Sequence, residues 1–113
     1  MKYAMVILES DDAWEGSNAA EREFDAAARW WADLRAQGKV VASARLAPPR
    51  TATILSWHDQ TPIVTDGPYI EAKEAVGGFV VLEVDSPAEA VRIASSWPKT
   101  AGARIELRPV MEA

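Results

Sequence analysis

Apolar and polar positions alternate along this chain with two different periods, and the switches between them mark the elements. Lys2 to Leu8 carries apolar side chains on both alternating faces, with Tyr3, Met5 and Ile7 on one side and Ala4, Val6 and Leu8 on the other. A strand buried on two sides has that pattern. Glu9 to Ser17 is acidic and irregular and is read as a loop. From Asn18, an N-cap with Glu21 as its capping-box partner, the period becomes helical. Ala20, Phe24, Ala27, Trp31 and Leu34 form one stripe, and Arg22, Asp25, Arg29 and Asp33 form the opposite, solvated face. Gly38 supplies a left-handed residue to end the helix.

Lys39 to Leu46 makes a second strand, broken by Pro48-Pro49. Two β-type runs, Thr53 to Trp57 and Ile63 to Thr65, flank a polar His58-Asp59-Gln60-Thr61 and predict a hairpin, with Pro62 directing its strand to a sheet edge. Asp66-Gly67-Pro68 is a sharp turn, because the carboxylate can accept backbone N–H groups two residues on and proline fixes φ. Phe79 to Val84 is apolar on both faces apart from Glu83, as in a central strand. The Gly77-Gly78 pair before it points to a bulge or to close approach by another backbone or a ligand. Ser86-Pro87-Ala88-Glu89 starts a short second helix whose apolar face is Ala90, Ile93, Ala94 and Trp97, and Pro98 stops it. In the last strand, Arg104 to Arg108, Ile105 and Leu107 face one way and the charged residues the other.

The order strand, helix, strand, hairpin, strand, helix, strand predicts an α+β fold. It is a ferredoxin-like split βαβ arrangement with an inserted β-hairpin, in one domain spanning residues 1–113. Right-handed crossovers put both helices on one face of the sheet. The first and central strands are nevertheless apolar on both faces, so a second copy is expected to cover the other face and the protein to be a homodimer.

Composition narrows the functions. The net charge is −5, and the twelve Lys and Arg are dispersed, so direct binding to a nucleic-acid backbone is not expected. Cysteine is absent, which removes thiolate catalysis and cysteine-ligated zinc and is compatible with a cytoplasmic location. No apolar run reaches membrane-spanning length, and no cofactor or metal is indicated. Asp11, Asp12 and Glu15 lack calcium-loop spacing, so the acidic stretch is read as solvated loop. The five tryptophans, Trp14, Trp30, Trp31, Trp57 and Trp97, suit a core, an interface or a pocket wall.

Two residue types carry candidate proton chemistry. His58 is the only histidine. A turn centred on Asp59-Gln60 places it at the hairpin tip, about 16 Å from Asp66 at ~3.3 Å per residue, so the two cannot form a dyad within one subunit. Asp66 itself is either a turn cap or a proton acceptor beside a carbonyl. In the second case Lys73 would pair with an anion and Tyr69 or Trp14 would form a wall, in a pocket between the charged loop and the sheet. Glu71, Lys73 and Glu74 otherwise read as solvated loop charges.

Leu46, Pro48, Thr53 and Val64-Thr65-Asp66-Gly67-Pro68-Tyr69, with Glu71, Lys73, Glu74, Gly77, Gly78 and Phe79, resemble the YCII-related, DGPF-type domain family. Tyr69 replaces the phenylalanine of the namesake motif and keeps the ring. The resemblance covers nearly the whole chain and implies a dimeric α+β barrel of ferredoxin-like subunits. It also implies processing of small carbonyl or lactone-type metabolites by a histidine and aspartate pair. The first helix here has no histidine, so Asp66 alone carries over. Other DGPF-type proteins accompany extracytoplasmic-function sigma factors, which implies a regulatory role through protein contacts, here through Asp11 and Asp12 or an exposed tryptophan.

Overall fold

The computed structural model describes residues 1–10, 18–67, 74–98 and 104–112, and of residues 10 and 18–25 the backbone alone. The elements are β1 (Lys2–Ser10), α1 (Asn18–Ala36), β2 (Val40–Arg45), β3 (Thr53–His58), β4 (Thr61–Asp66), β5 (Glu74–Glu83), α2 (Pro87–Ser95) and β6 (Arg104–Pro109). Four strands form an antiparallel sheet in the order β2-β5-β1-β6, and β3 and β4 form a separate two-stranded sheet. Each helical connection therefore passes over one intervening strand, the geometry of a split βαβ unit. The fold is α+β. Among the described residues no helix is long and apolar enough to cross a membrane.

Both helices pack on the sheet face built by alternate residues of the central strands. Met5, Ile7, Val80 and Leu82 are at most 1% exposed, and they meet Ala27, Trp31 and Leu34 of α1 and Ala90 and Ala94 of α2. The stripe expected on α1 is thus buried from Ala27 onward, while Ala20, Phe24 and the Asn18–Glu21 capping box lie outside the described side chains. Trp30, Trp31 and Trp97 stack edge to face across the two helices, with centroids 5.0 to 6.2 Å apart. Such pairs add about 0.5–1.5 kcal/mol each beyond their buried area. Trp30 Nε1 donates to Ser96 Oγ at 2.8 Å and fixes the ring that bridges the helices.

Local chemistry ends the helices as expected. Gly38 adopts φ 72° after α1. Ser86 Oγ accepts from the Glu89 N–H at 3.1 Å, with Pro87 at the first helical position. The Glu89 carboxylate in turn accepts from the Asp85 N–H at 3.3 Å and from Lys39 Nζ. These bonds hold the Glu89 carboxyl below its ordinary range, the Lys39 contact contributing most.

Among the described residues the opposite face has no helix. In register across it stand Ala42 and Ala44 of β2, Phe79 and Val81 of β5, and Ala4 and Val6 of β1, with Arg108 and Glu106 beyond them on β6. It is an apolar strip with a charged edge. Among the described residues the hairpin β3–β4 pairs only within itself, turning at Asp59 and Gln60 with φ of 46° and 68°, the paired left-handed conformation that matches strand twist. Leu55, Trp57, Ile63 and Val64 are 44–67% exposed on it. The hairpin's reach helps explain a radius of gyration of 15.8 Å, against about 13 Å for a compact chain of this length.

Some boundaries differ from the sequence reading. The central strand begins at Glu74 rather than Phe79, so Gly77-Gly78 lies inside it. The expected bulge is there: Ile7 faces Gly78 and Leu8 faces Val76, leaving Gly77 as the extra residue. Glu74, read as a loop charge, is a strand residue whose side chain is 28% exposed. Glu9, assigned to the acidic loop, belongs to β1 and is 2% exposed.

Candidate functional site

One of the concavities among the described residues grows out of the chain's exit from β2. Leu46 donates its N–H to the Gly77 carbonyl at 2.9 Å, extending the pairing one residue past the strand. Pro48-Pro49 then forbids further ladder bonds and starts a single 3-10 turn, Pro49–Thr51. The Thr51 hydroxyl and N–H both donate to the Pro48 carbonyl, at 2.6 and 2.9 Å. The chain re-emerges at Ala52 and enters the hairpin.

Asp66-Gly67 closes the base of that hairpin. Gly67 N–H donates to the Ala52 carbonyl at 2.7 Å. A Cβ on Gly67 would lie 2.8 Å from the Ala52 Cβ and 3.1 Å from its carbonyl oxygen, so the close approach of two backbones requires glycine. Between this base and the start of β5 lies a cavity of about 390 Å³. Its walls are Leu46, Ala47, Pro48, Pro49, Ala52, Ile54, Ala75 and Val76, and its polar side chains are Thr51 and Glu74. The size suits a small metabolite and the lining is mainly apolar, as small-molecule sites usually are.

Glu74 is the charged residue of that lining. Its Oε1 stands 3.4 Å from Arg104 Nε of β6, and its Oε2 is shielded from water and receives no hydrogen bond. Asp66 is exposed and pairs in register with Thr53, on the hairpin face that does not carry the cavity-lining Ile54. Neither Asp66 nor Gly67 lines the cavity: Gly67 bonds the lining residue Ala52, and Asp66 stands on the other face of the hairpin. Tyr69, Lys73, Glu71, Trp14, Asp11 and Asp12 lie outside the described residues. His58 sits at the hairpin tip, 80% exposed, with Nε2 3.5 Å from the Asp59 carboxylate, which is the turn-residue position expected for it.

A second polar arrangement lies on the helical side. Glu9 is buried with its carboxylate against the Gly77 bulge, and Arg45 Nη1 approaches to 3.8 Å. The sequence reading passed over both residues. The signal was present, because Glu9 continues the Tyr3, Met5, Ile7 alternation onto the buried face. Between α1 and α2 there is also a groove of about 350 Å³ floored by Trp30, Leu34 and Ile93 and edged by Asp33 and Arg92. Among the described residues no group of three or more His, Cys, Asp or Glu is arranged to hold a metal ion.

Two helices on one face of a four-stranded antiparallel sheet, with an inserted hairpin beside an open, mainly apolar cavity, place the protein among small α+β domains. The YCII-related domain model matches residues 1–113, the whole chain, and the protein belongs to the YCII-related domain family. No curated protein matches it significantly.

Proposed function

We propose that this domain binds, and in some contexts transforms, a small carbonyl or lactone-type metabolite in the cavity at the hairpin base. The observation that carries the reading is a mainly apolar, metabolite-sized hollow beside the hairpin base, where Gly67 bonds the cavity-lining Ala52. Asp66, on the hairpin face opposite the cavity-lining Ile54, is the candidate proton acceptor for a ligand that extends round the hairpin base. Tyr69, Lys73 and Trp14 are the candidate contacts that complete the site. The working unit is a homodimer in which the apolar strips of two ferredoxin-like subunits face each other to close an α+β barrel. Support for that assembly is the strip's anatomy, an apolar centre with a charged edge, as at protein interfaces. A cytoplasmic location belongs to the same reading, on the cysteine-free sequence. The test is metabolite turnover and binding by wild type and Asp66→Asn. Loss of turnover with an unchanged melting temperature supports a chemical role, whereas a large fall in stability assigns Asp66 to turn capping.

A second reading is favoured by Trp57, which is 67% exposed beside the exposed Leu55 and Val64. On this reading the domain is a regulatory partner of an extracytoplasmic-function sigma factor and docks through the hairpin. Co-purification that survives moderate salt and is lost in Trp57→Ala supports it. A sigma factor whose promoter activity is indifferent to deletion of the protein refutes it.

A further inference from the structure

We propose that Glu74 selects what enters the hairpin-base cavity: the ligand has a compact apolar body and a hydroxyl or amine that donates to this carboxylate, and ligands ending in a carboxylate are rejected. The inference rests on the small-molecule reading above and names the chemistry of that site. Of the side chains lining the hollow, Thr51 already spends its hydroxyl on the Pro48 carbonyl. The Thr51 oxygen keeps only the weak acceptor capacity of a neutral hydroxyl, so Glu74 is the strong, anionic acceptor of the described lining. Its Oε1 is only loosely engaged, because 3.4 Å to Arg104 Nε is well beyond the 2.7–2.9 Å of a strong charge-assisted bond. Arg104 is 77% exposed, so the pair is solvent-screened and gives little reason on stability grounds for a carboxylate here. Oε2 accepts nothing although water is excluded from it, and an unsatisfied buried acceptor is destabilising.

A donor brought by the ligand removes that deficit, so part of its binding energy is relief of a pre-existing strain in hydrogen bonding. Oε2 is shielded in this structure, so the proposed donor reaches it after a χ rotation of Glu74 toward the cavity that it lines. A carboxylate in the same place would meet a like charge at short range, and none of the described lining side chains is a cation. Discrimination of this kind is large, because a site arranged for a donor leaves its acceptor unpaired when the donor is missing.

The test is an amide-resolved NMR titration of the full chain with pentylamine, 1-pentanol, 2-pentanone and pentanoate. In the wild type, shifts centred on Leu46, Ala52 and Val76 are expected. Pentylamine and 1-pentanol should bind roughly tenfold or more tighter than pentanoate, with 2-pentanone between. Glu74→Gln should bring the amine and the acid to within about threefold of each other. Glu74→Asp, which keeps the charge, should preserve the order if the glutamine variant does not fold. Binding at the same residues without discrimination, or an order unchanged in Glu74→Gln, overturns this inference and leaves the small-molecule reading intact. No perturbation of the cavity by any of the four overturns both.

Discussion

Gly77→Ala isolates the contact between the β5 bulge and the buried end of β1. Gly77 does not occupy the left-handed region, so alanine is allowed there by its backbone. Under that condition Gly→Ala ordinarily stabilises by about 0.4–1 kcal/mol through the unfolded chain. Here a Cβ would fall 2.5 Å from both Cδ and Oε2 of Glu9 and 2.9 Å from Oε1, well inside van der Waals contact. Glu9 is 2% exposed and cannot swing into solvent without disturbing its neighbours. Overpacking a closed site costs about 1–3 kcal/mol. Moving the carboxylate away from Arg45 adds to that, discounted because Arg45 is partly exposed and 3.8 Å away. The net expectation is a destabilisation of about 2 kcal/mol. At a urea m-value of about 1.5 kcal/mol/M the midpoint falls by roughly 1.3 M. The measurement is urea unfolding at fixed protein concentration, repeated in a Glu9→Ala background where the obstructing carboxylate is gone. In that background Gly77→Ala should be neutral or slightly stabilising, giving a coupling of about 2 kcal/mol. An alanine at 77 that is harmless in the wild type, or equally costly in both backgrounds, refutes the packing account.

Other outcomes are equally definite. Ser86→Ala removes the oxygen that accepts from the Glu89 N–H and should lower stability by about 1 kcal/mol, read as a lower Tm, with Ser86→Gly milder. Because Glu89 titrates below its ordinary range in the folded state, its contribution is complete above the unfolded-state pKa of about 4.3 and fades as pH falls through the lowered folded value. Glu89→Gln should therefore flatten the acid limb of the stability profile below about pH 5, and a profile that superimposes on wild type contradicts the assignment. Val81→Lys places a charge in the middle of the apolar strip and should shift sedimentation from dimer to monomer at micromolar concentration, whereas a wild type already monomeric there defeats the paired-sheet proposal.

The elements, their order and the helix-facing core follow from local pattern and were legible in the chain. Alternation along Tyr3 to Leu8, the 3.6-residue stripe through Ala27, Trp31 and Leu34, and the Ser86-Pro87 start are each settled by side chains a few residues apart. The bulge at Gly77-Gly78 was equally visible, since two glycines at a strand junction have few other uses. Glu9 and Glu74 were misread for one reason: a charged residue at the end of an apolar run looks like the start of a loop. Burial decided otherwise, through partners distant in sequence, Arg45 for Glu9 and Arg104 for Glu74. Asp66 shows the converse. Its turn was plain from three residues, but the direction of its carboxylate depends on the Thr53–Asp66 register. A cavity has no signature along the chain, because its walls come from two stretches, 46–54 and 74–76, that only the tertiary fold brings within reach of each other.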